Sequence, residues 1–189
     1  MEEQIYRYGR LVAKALQDVR LSDIDEENKR TILNFYRECL ARGYSKGRLL
    51  KYLTTLLRIA RILKKPFREA SKEDILEVVR QVEERDYSEW TKHDYKVVVK
   101  AFYKWLNNGT YPECVNWIKT TAKGSIKLPE ELLTVEDVRR LVDAADNLRD
   151  KAFVLVLYES GCRIGELLTL RLKHVRFDEY GAILIVNGK

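Results

Sequence analysis

The residues best suited to chemistry are an arginine and a glutamate three positions apart, Arg163 and Glu166, which follow Gly161. A guanidinium is planar and permanently charged, and its paired donors match two oxygens of a phosphate group. The arginine is expected at the start of a helix, where backbone N–H groups add positive potential. Taken alone, the pattern Gly-x-Arg-x-x-Glu also fits an ordinary surface arginine, so the surrounding elements must decide between the two interpretations.

The elements around this pattern are predicted to form a small α+β unit. Thr134 is predicted to cap a helix over TVEDVRRLVDAAD. A second helix over KAFVLVLYES is apolar nearly all round and is expected to be buried. Gly161 interrupts it, and RIGELLTLRLKHV is predicted to be a third helix. The last segment is expected to form two strands joined by a turn around residues 178–181.

Upstream of this unit, the spacing of apolar residues predicts a helical arm over residues 1–21 and a domain of four or five helices over residues 22–109. Serine or aspartate caps are predicted to open the four core helices: Ser22 or Asp23, Ser45, Ser71 and Ser88. Two of the three prolines, Pro112 and Pro129, lie within or just after residues 110–128, which are predicted to be a linker with at most one short helix. Residues 129–189 complete the chain.

Positive charge is concentrated in two of these helices. Residues 41–70 carry net +8, residues 71–90 net −4 and residues 91–128 net +5, within a total of +6. Two basic helices that flank an acidic one indicate a surface for the DNA backbone. A solvated helix face is the alternative interpretation of each lysine stripe.

The candidate DNA-binding residues lie on these two basic helices. On the first helix, Arg48, Lys51, Thr55, Arg58 and Lys65 are expected to share the side opposite the leucines, and Ser45 and Lys46 at its start are further candidates. On the second, Lys92, Lys96, Lys100 and Lys104 are expected to wind slowly around the helix as a cationic ridge, and Thr91 is a further candidate. Lysines that contact only phosphates would position the protein on DNA without reading its sequence.

Other functional classes find little support. Three cysteines lie far apart, and neither they nor the two histidines have the spacing of a zinc site, so no metal and no cofactor is predicted. No apolar run reaches the roughly 18–20 residues of a membrane span. The first ten residues lack the apolar core of a signal peptide. The sequence therefore predicts a soluble, cytoplasmic protein.

The segment from Lys127 to Lys189 resembles the opening of the catalytic domain of tyrosine recombinases, the phage integrase and Xer-type family. The matching positions are Leu133-Thr134 with Asp137, Gly161-Cys162-Arg163, Glu166-Leu167, Leu170 and Gly188-Lys189. The helix after Ser45, with Arg48 and Tyr52, and the pair Phe102 and Trp105 are similar to the core-binding domain of that family. The resemblance covers about residues 22–189.

The resemblance implies a mainly α fold: a SAM-like helical core-binding domain followed by the truncated α+β start of a catalytic domain. It implies that Arg163 and Lys189 are catalytic, with Lys189 protonating the departing 5′ oxygen, and that Glu166 and Gly161 support the site. Arginines take the place of metal ions in this chemistry. The two domains are expected to form a C-shaped clamp on duplex DNA.

The same resemblance predicts that the chain is an N-terminal fragment. The family also needs a second arginine, a further histidine or tryptophan and a tyrosine nucleophile, all downstream of the hairpin lysine. A chain that stops in a hairpin also leaves an unpaired strand edge. The parent enzyme is therefore expected to recombine or integrate DNA through a 3′-phosphotyrosyl intermediate and to be tetrameric on two sites. The fragment is expected to be an inactive monomer.

Two alternatives remain open: a non-catalytic DNA-binding fragment and a helical protein-interaction module. The family relatives that the sequence suggests are Xer-like or archaeal mobile-element integrases. The sequence gives neither the target site, nor the source element, nor the choice between integration, excision and chromosome resolution.

Overall fold

The structure is a computed structural model that describes residues 7–121 and 131–186. The described chain divides into two compact units, one over residues 8–121 and the other over residues 131–186. The elements are helices and one small sheet, which confirms the predicted mainly α fold. Among the described helices, none is long and apolar enough to cross a membrane.

Over residues 8–121, the helical unit contains six α-helices and one 3₁₀ turn. In chain order they are α1 (Tyr8–Leu21), α2 (Glu26–Ala41), α3 (Lys46–Leu63), the 3₁₀ turn Phe67–Glu69, α4 (Lys72–Glu83), α5 (Glu89–Leu106) and α6 (Glu113–Asn116). Ser45, Ser71 and Ser88 cap their helices as predicted, and Ser71 forms a reciprocal capping box with Asp74.

The start of α2 differs from the prediction. Its cap is Asp25, whose carboxylate accepts hydrogen bonds from the amides of Glu27 and Asn28, and not Ser22 or Asp23. Ser22 instead closes α1, because its hydroxyl donates to the carbonyl of Val19 at 2.7 Å. A polar residue near a helix end can serve either side of the boundary, and here the two candidates serve opposite sides.

Helix α3 lies at the centre of the helical unit. It contacts α1, α2, α4 and α5, so it buries most of its circumference. Leu49, Leu53, Leu56 and Ile59 are each about 1% exposed. Phe67 and Phe102 extend this core with their rings 4.7 Å apart. Burying aromatic and aliphatic side chains on this scale supplies the main driving force for folding of the unit.

Two segments that the sequence placed outside the helical domain belong to it. The predicted arm contributes α1, whose Val12, Ala15 and Val19 lie in the core. The predicted linker contributes α6 and the residues after it, where Val115 and Ile118 are at most 2% exposed. Each segment carries only a few apolar residues, yet the neighbouring helices offer a surface that buries them.

The second unit consists of α7 (Val135–Ala144), α8 (Leu148–Ser160), α9 (Ile164–Leu168), a 3₁₀ turn at Leu172–His174, and strands β1 (Val175–Asp178) and β2 (Gly181–Leu184). Thr134 caps α7 in a capping box with Asp137, as predicted. The strands pair antiparallel, with Val175 opposite Leu184. The predicted strand–turn–strand is therefore confirmed. The predicted helix over RIGELLTLRLKHV is wrong beyond Leu168, where Thr169 ends α9.

The prediction that α8 is buried is wrong. None of its residues is buried, and Leu155 and Tyr158 remain 44% and 46% exposed. The helix that packs against it among the described elements is α7. One partner helix covers only one stripe, so a helix that is apolar all round keeps its other sides exposed.

Candidate functional site

The turn between α8 and α9 presents Arg163. Gly161 ends α8 in the left-handed conformation, with φ at 60°, which a glycine adopts without steric cost. After it, the Ser160 hydroxyl accepts a hydrogen bond from the Cys162 amide at 3.3 Å. Arg163 then takes an extended conformation as the residue before α9. The glycine and the serine together set the direction in which the chain enters the arginine.

Glu166 holds Arg163 at two points. One carboxylate oxygen accepts from the Arg163 amide at 2.8 Å, and the other accepts from the guanidinium Nη1 at 3.0 Å. The Glu166 side chain is only 16% exposed, whereas the Arg163 side chain is 78% exposed. The inner carboxylate therefore fixes an outward-facing guanidinium whose remaining donors are accessible to an anion.

The same contact keeps Glu166 ionised. The Arg163 amide, and after it the guanidinium, lowers the pKa of the Glu166 carboxyl below its ordinary value. A charged carboxylate accepts stronger hydrogen bonds than a neutral one, so the pair reinforces itself at neutral pH. Gly161 and Glu166 thus adjoin Arg163 in the same turn, and their support of a catalytic site stays a prediction. Lys189, the second predicted catalytic residue, lies outside the described residues.

In the helical unit, the exposed residues of α3 are all cationic: Lys46, Arg48, Lys51, Arg58 and Arg61. This stripe extends over about 22 Å along the helix axis. Arg48 lies over the Tyr44 ring, with its guanidinium carbon 5.0 Å from the ring centroid. Ser45, whose hydroxyl accepts from the Arg48 amide, stands at the beginning of the stripe.

The expectation that Thr55 shares the exposed side of α3 is wrong. Thr55 is 8% exposed and lies among the core residues of the helix. The reason is the central position of α3, which neighbours on several sides bury over more than a single leucine stripe. Thr55 therefore packs and does not face solvent.

The lysines of the predicted ridge lie on α5, and they have partners within the chain. Lys92 pairs with Glu89 at 3.3 Å and Lys96 with Glu83 at 2.5 Å. Lys100 donates to the carbonyl of Ile118 at 2.9 Å. Thr91 bonds back to the Ser88 cap through its amide and its hydroxyl. The ridge is thus a set of paired cations, and DNA phosphates would have to compete with those partners.

Sequence reasoning missed the partners that hold the α3 stripe. Asp94, on α5, pairs with Lys51 at 2.7 Å. Tyr95 accepts from the Arg58 guanidinium at 3.1 Å and stacks on the ring of Tyr87. These contacts span 37 or more residues in sequence, so no local pattern announces them. They fix two cations of the stripe in defined positions.

No metal site emerges from the described part of the chain. No group of three or more His, Cys, Asp or Glu side chains there could hold a metal ion. Cys39, Cys114 and Cys162 are free thiols. Burial raises the pKa of Cys39 to about 11, so this thiol stays protonated at neutral pH and is a poor nucleophile.

Comparisons with known proteins point to one group. Residues 131–189 match the model of the phage integrase family. The chain is 43% identical over 65 residues to tyrosine recombinase XerA of Pyrococcus horikoshii, covering 33% of this chain and 22% of the relative. It is 28% identical over 127 residues to tyrosine recombinase XerD of Bifidobacterium longum, covering 62% and 41%.

A third relative is transposase A from transposon Tn554 of Staphylococcus aureus, which is 36% identical over 76 residues, covering 40% of this chain and 20% of the relative. The chain spans less than half the length of each of these three relatives. No solved structure matches it at a significant level.

Proposed function

We propose that this chain binds duplex DNA as part of a site-specific recombinase, because residues 131–189 match the phage integrase family model and the chain is similar to Xer tyrosine recombinases. The helical unit contacts the sugar-phosphate backbone, and Arg163 contacts the phosphate at which strands are exchanged. The names of the relatives support recombination as the reaction class.

The observation that carries DNA binding is the composition of the exposed side of α3. The five solvent-exposed residues of that side are all lysine or arginine, and no acidic or apolar residue of α3 is exposed. A continuous cationic stripe can neutralise several phosphates at once, which releases counterions and yields affinity without reading bases. A protein-interaction helix would instead be expected to expose apolar anchors.

The Arg163–Glu166 pair supports a role in the reaction itself. Charge grows on the non-bridging oxygens of a phosphodiester when it is attacked, and an oriented guanidinium stabilises that charge. Glu166 provides orientation at little cost, since its carboxylate is already fixed when DNA arrives. In this proposal Arg163 binds the phosphate, Glu166 positions Arg163, and Lys189 supplies a proton to the leaving 5′ oxygen.

The test of DNA binding is a salt titration with a labelled duplex of about 30 base pairs, followed by fluorescence anisotropy. With four to five phosphates neutralised, affinity should fall roughly 150- to 500-fold between about 50 and 200 mM salt. Lys51→Gln should lower both the affinity and the salt slope. Lys72→Gln, which removes an exposed lysine from acidic α4, is the matched control. Salt-independent or absent binding contradicts the proposal and favours a protein-interaction module.

The same proposal assigns no nucleophile to this 189-residue chain. On a nicked duplex that traps covalent intermediates, the purified chain should yield no protein–DNA adduct on a denaturing gel. An adduct would show that one of its tyrosines attacks the phosphate and would overturn this assignment. DNA binding without cleavage supports it.

A further inference from the structure

A cavity in the helical unit adjoins one end of the cationic stripe of α3, where Arg48 lies over the ring of its lining residue Tyr44. It opens between the end of α2, the start of α3 and the end of α5, and its volume is about 500 Å³. Five aromatic side chains contribute to its lining: Phe35, Tyr44, Tyr52, Trp105 and Tyr111. This volume falls within the range of about 300–1,000 Å³ that is usual for small-ligand sites.

The aromatic residues are arranged as a connected wall. The rings of Phe35 and Trp105 have centroids 5.0 Å apart, those of Phe35 and Tyr52 5.1 Å, and those of Tyr44 and Tyr52 6.3 Å. Tyr111 is 47% exposed, so its ring lies at the mouth of the cavity. Phe35 and Tyr52 are buried against their neighbours, so Tyr111 and the half-buried Tyr44 and Trp105 are the rings available for stacking on a planar ligand.

The acidic residue of the cavity lining, Glu38, already has two partners in the chain. Glu38 accepts a hydrogen bond from Trp105 Nε1 at 2.5 Å and pairs with Arg42. The indole N–H, and after it Arg42, lowers the pKa of the Glu38 carboxyl, so the group is ionised and already paired at neutral pH. It therefore fixes Trp105 in place and is not a free ligand for a cation.

Lys104 lines the cavity and Arg48 lies over the ring of the lining residue Tyr44, and both pair with rings and not with acids. The Lys104 ammonium lies 5.0 Å from the Tyr111 centroid, and the Arg48 guanidinium lies 5.0 Å from the Tyr44 centroid. Within the described residues neither is in an ion pair with a carboxylate. Each can thus turn to an anion without breaking a salt bridge.

We propose that this cavity binds a single unpaired nucleotide, with its base stacked on the aromatic wall and its phosphate held by Lys104 and Arg48. Stacking of bases on aromatic side chains combined with cationic contacts to phosphate is the general chemistry of single-strand binding. The positive charges of Arg42 and Lys104 disfavour a cationic ligand in this cavity. The same charges disfavour a wholly apolar ligand. The nucleotide is either free or an unstacked residue of a DNA strand.

The first experiment measures binding of AMP to the full chain by equilibrium dialysis, beside adenosine and inorganic phosphate alone. AMP should bind more tightly than either part. Tyr111→Ala should weaken AMP binding by at least about 5-fold, the lower end of the effect of losing one stacking contact. Lys104→Gln should weaken AMP but not adenosine. Tyr180→Ala, which removes a tyrosine that is 90% exposed in the other unit, is the control.

Equal affinity for AMP and for phosphate would show a site that binds anions alone. Equal affinity for AMP and for adenosine would show a site without a phosphate contact. Either result, or the absence of AMP binding, overturns the proposal. Tighter binding of a duplex with one bulged nucleotide than of a perfect duplex identifies an unstacked DNA residue as the source, and equal binding identifies free nucleotide.

The inference does not depend on the proposed recombinase role. If AMP binds while duplex DNA does not, the proposed function fails and this site stands. If duplex DNA binds with the expected salt dependence while AMP does not, the site fails and the proposed function stands.

Discussion

The Glu166 carboxylate accepts hydrogen bonds from both the amide and the guanidinium of Arg163. The Glu166 side chain is largely shielded from solvent, whereas the Arg163 side chain is exposed. The largely shielded Glu166 carboxylate therefore orients the Arg163 guanidinium and leaves most of it open to solvent. A guanidinium held by one edge keeps its other donors in a fixed direction, as recognition of a phosphate requires.

Removal of Glu166 should therefore weaken DNA binding, although it removes a negative charge. Glu166→Ala frees the arginine, which then pays roughly 0.5–1.5 kcal/mol to become ordered on DNA. The expected result is a loss of about 2- to 10-fold in duplex affinity. Glu179→Ala removes an exposed acid in the hairpin turn and should leave affinity unchanged or slightly higher. Tighter binding by both variants would contradict the positioning role.

Arg163 should contribute one phosphate contact to the salt dependence of DNA binding. Arg163→Gln is expected to reduce the slope of log affinity against log salt by about 1. Arg149→Gln, in an exposed pair with Asp150 on α8, should leave the slope unchanged. The measurement is a parallel anisotropy titration of the three proteins. An unchanged slope for the Arg163 variant would show that its guanidinium does not reach the backbone.

If Lys51 contacts DNA as proposed, Asp94 competes with the phosphate for it, since their charged groups are 2.7 Å apart on a partly exposed surface. Asp94→Asn should tighten duplex binding by about 1.5- to 5-fold, in line with the ~0.2–1 kcal/mol of an exposed ion pair. Asp143→Asn removes an exposed acid from α7 and gives the effect of net charge alone. If both substitutions tighten binding equally, Lys51 is not a DNA contact.

Asn28 should be the polar residue whose loss most destabilises the helical unit. It is 1% exposed, donates to the carbonyl of Lys65 and accepts from the amide of Phe67, both at 2.8 Å. Asn28→Ala leaves the Lys65 carbonyl and the Phe67 amide without this hydrogen-bond partner, and each unpaired buried group costs about 1–3 kcal/mol. Urea unfolding should show a loss of roughly 2–4 kcal/mol. Asn34→Ala, exposed on the same helix, should change stability by less than about 0.5 kcal/mol.

Acid should destabilise the helical unit through Asp74. Lys65, and after it the Ser71 amide, lowers the pKa of this carboxyl below its ordinary value of 3.8. A carboxyl with a lower pKa in the folded than in the unfolded state stabilises the fold above the unfolded value, and that contribution is lost as pH falls through the folded value. Asp74→Asn should therefore flatten the decline in stability below about pH 4.

The measurement for Asp74 is a series of urea midpoints between about pH 6 and pH 2.5. Asp86→Asn, at an exposed acid outside the helices, should leave the pH profile parallel to that of the unmodified chain. A profile for Asp74→Asn as steep as that of the unmodified chain would show that the capping box does not sense acid.

The local signals of the sequence were sufficient for most helix boundaries and for the Arg163 turn. Ser45, Ser71, Ser88 and Thr134 cap their helices because a hydroxyl needs only amides two or three residues ahead. Gly161 ends α8 because the left-handed conformation is cheap for glycine. The Arg163–Glu166 contact is likewise a three-residue spacing that any helix start brings together.

Tertiary packing decided everything that depends on which neighbours surround a helix. Thr55 is buried and α8 is exposed because α3 has four partner helices, whereas α7 is the one that packs on α8 among the described elements. Amphipathic spacing gives the direction of a helix face but not the number of neighbours that cover it. The same limit hid the links of Lys51 to Asp94 and of Asn28 to Phe67, whose partners lie 39 or more residues apart and meet only after the helices pack.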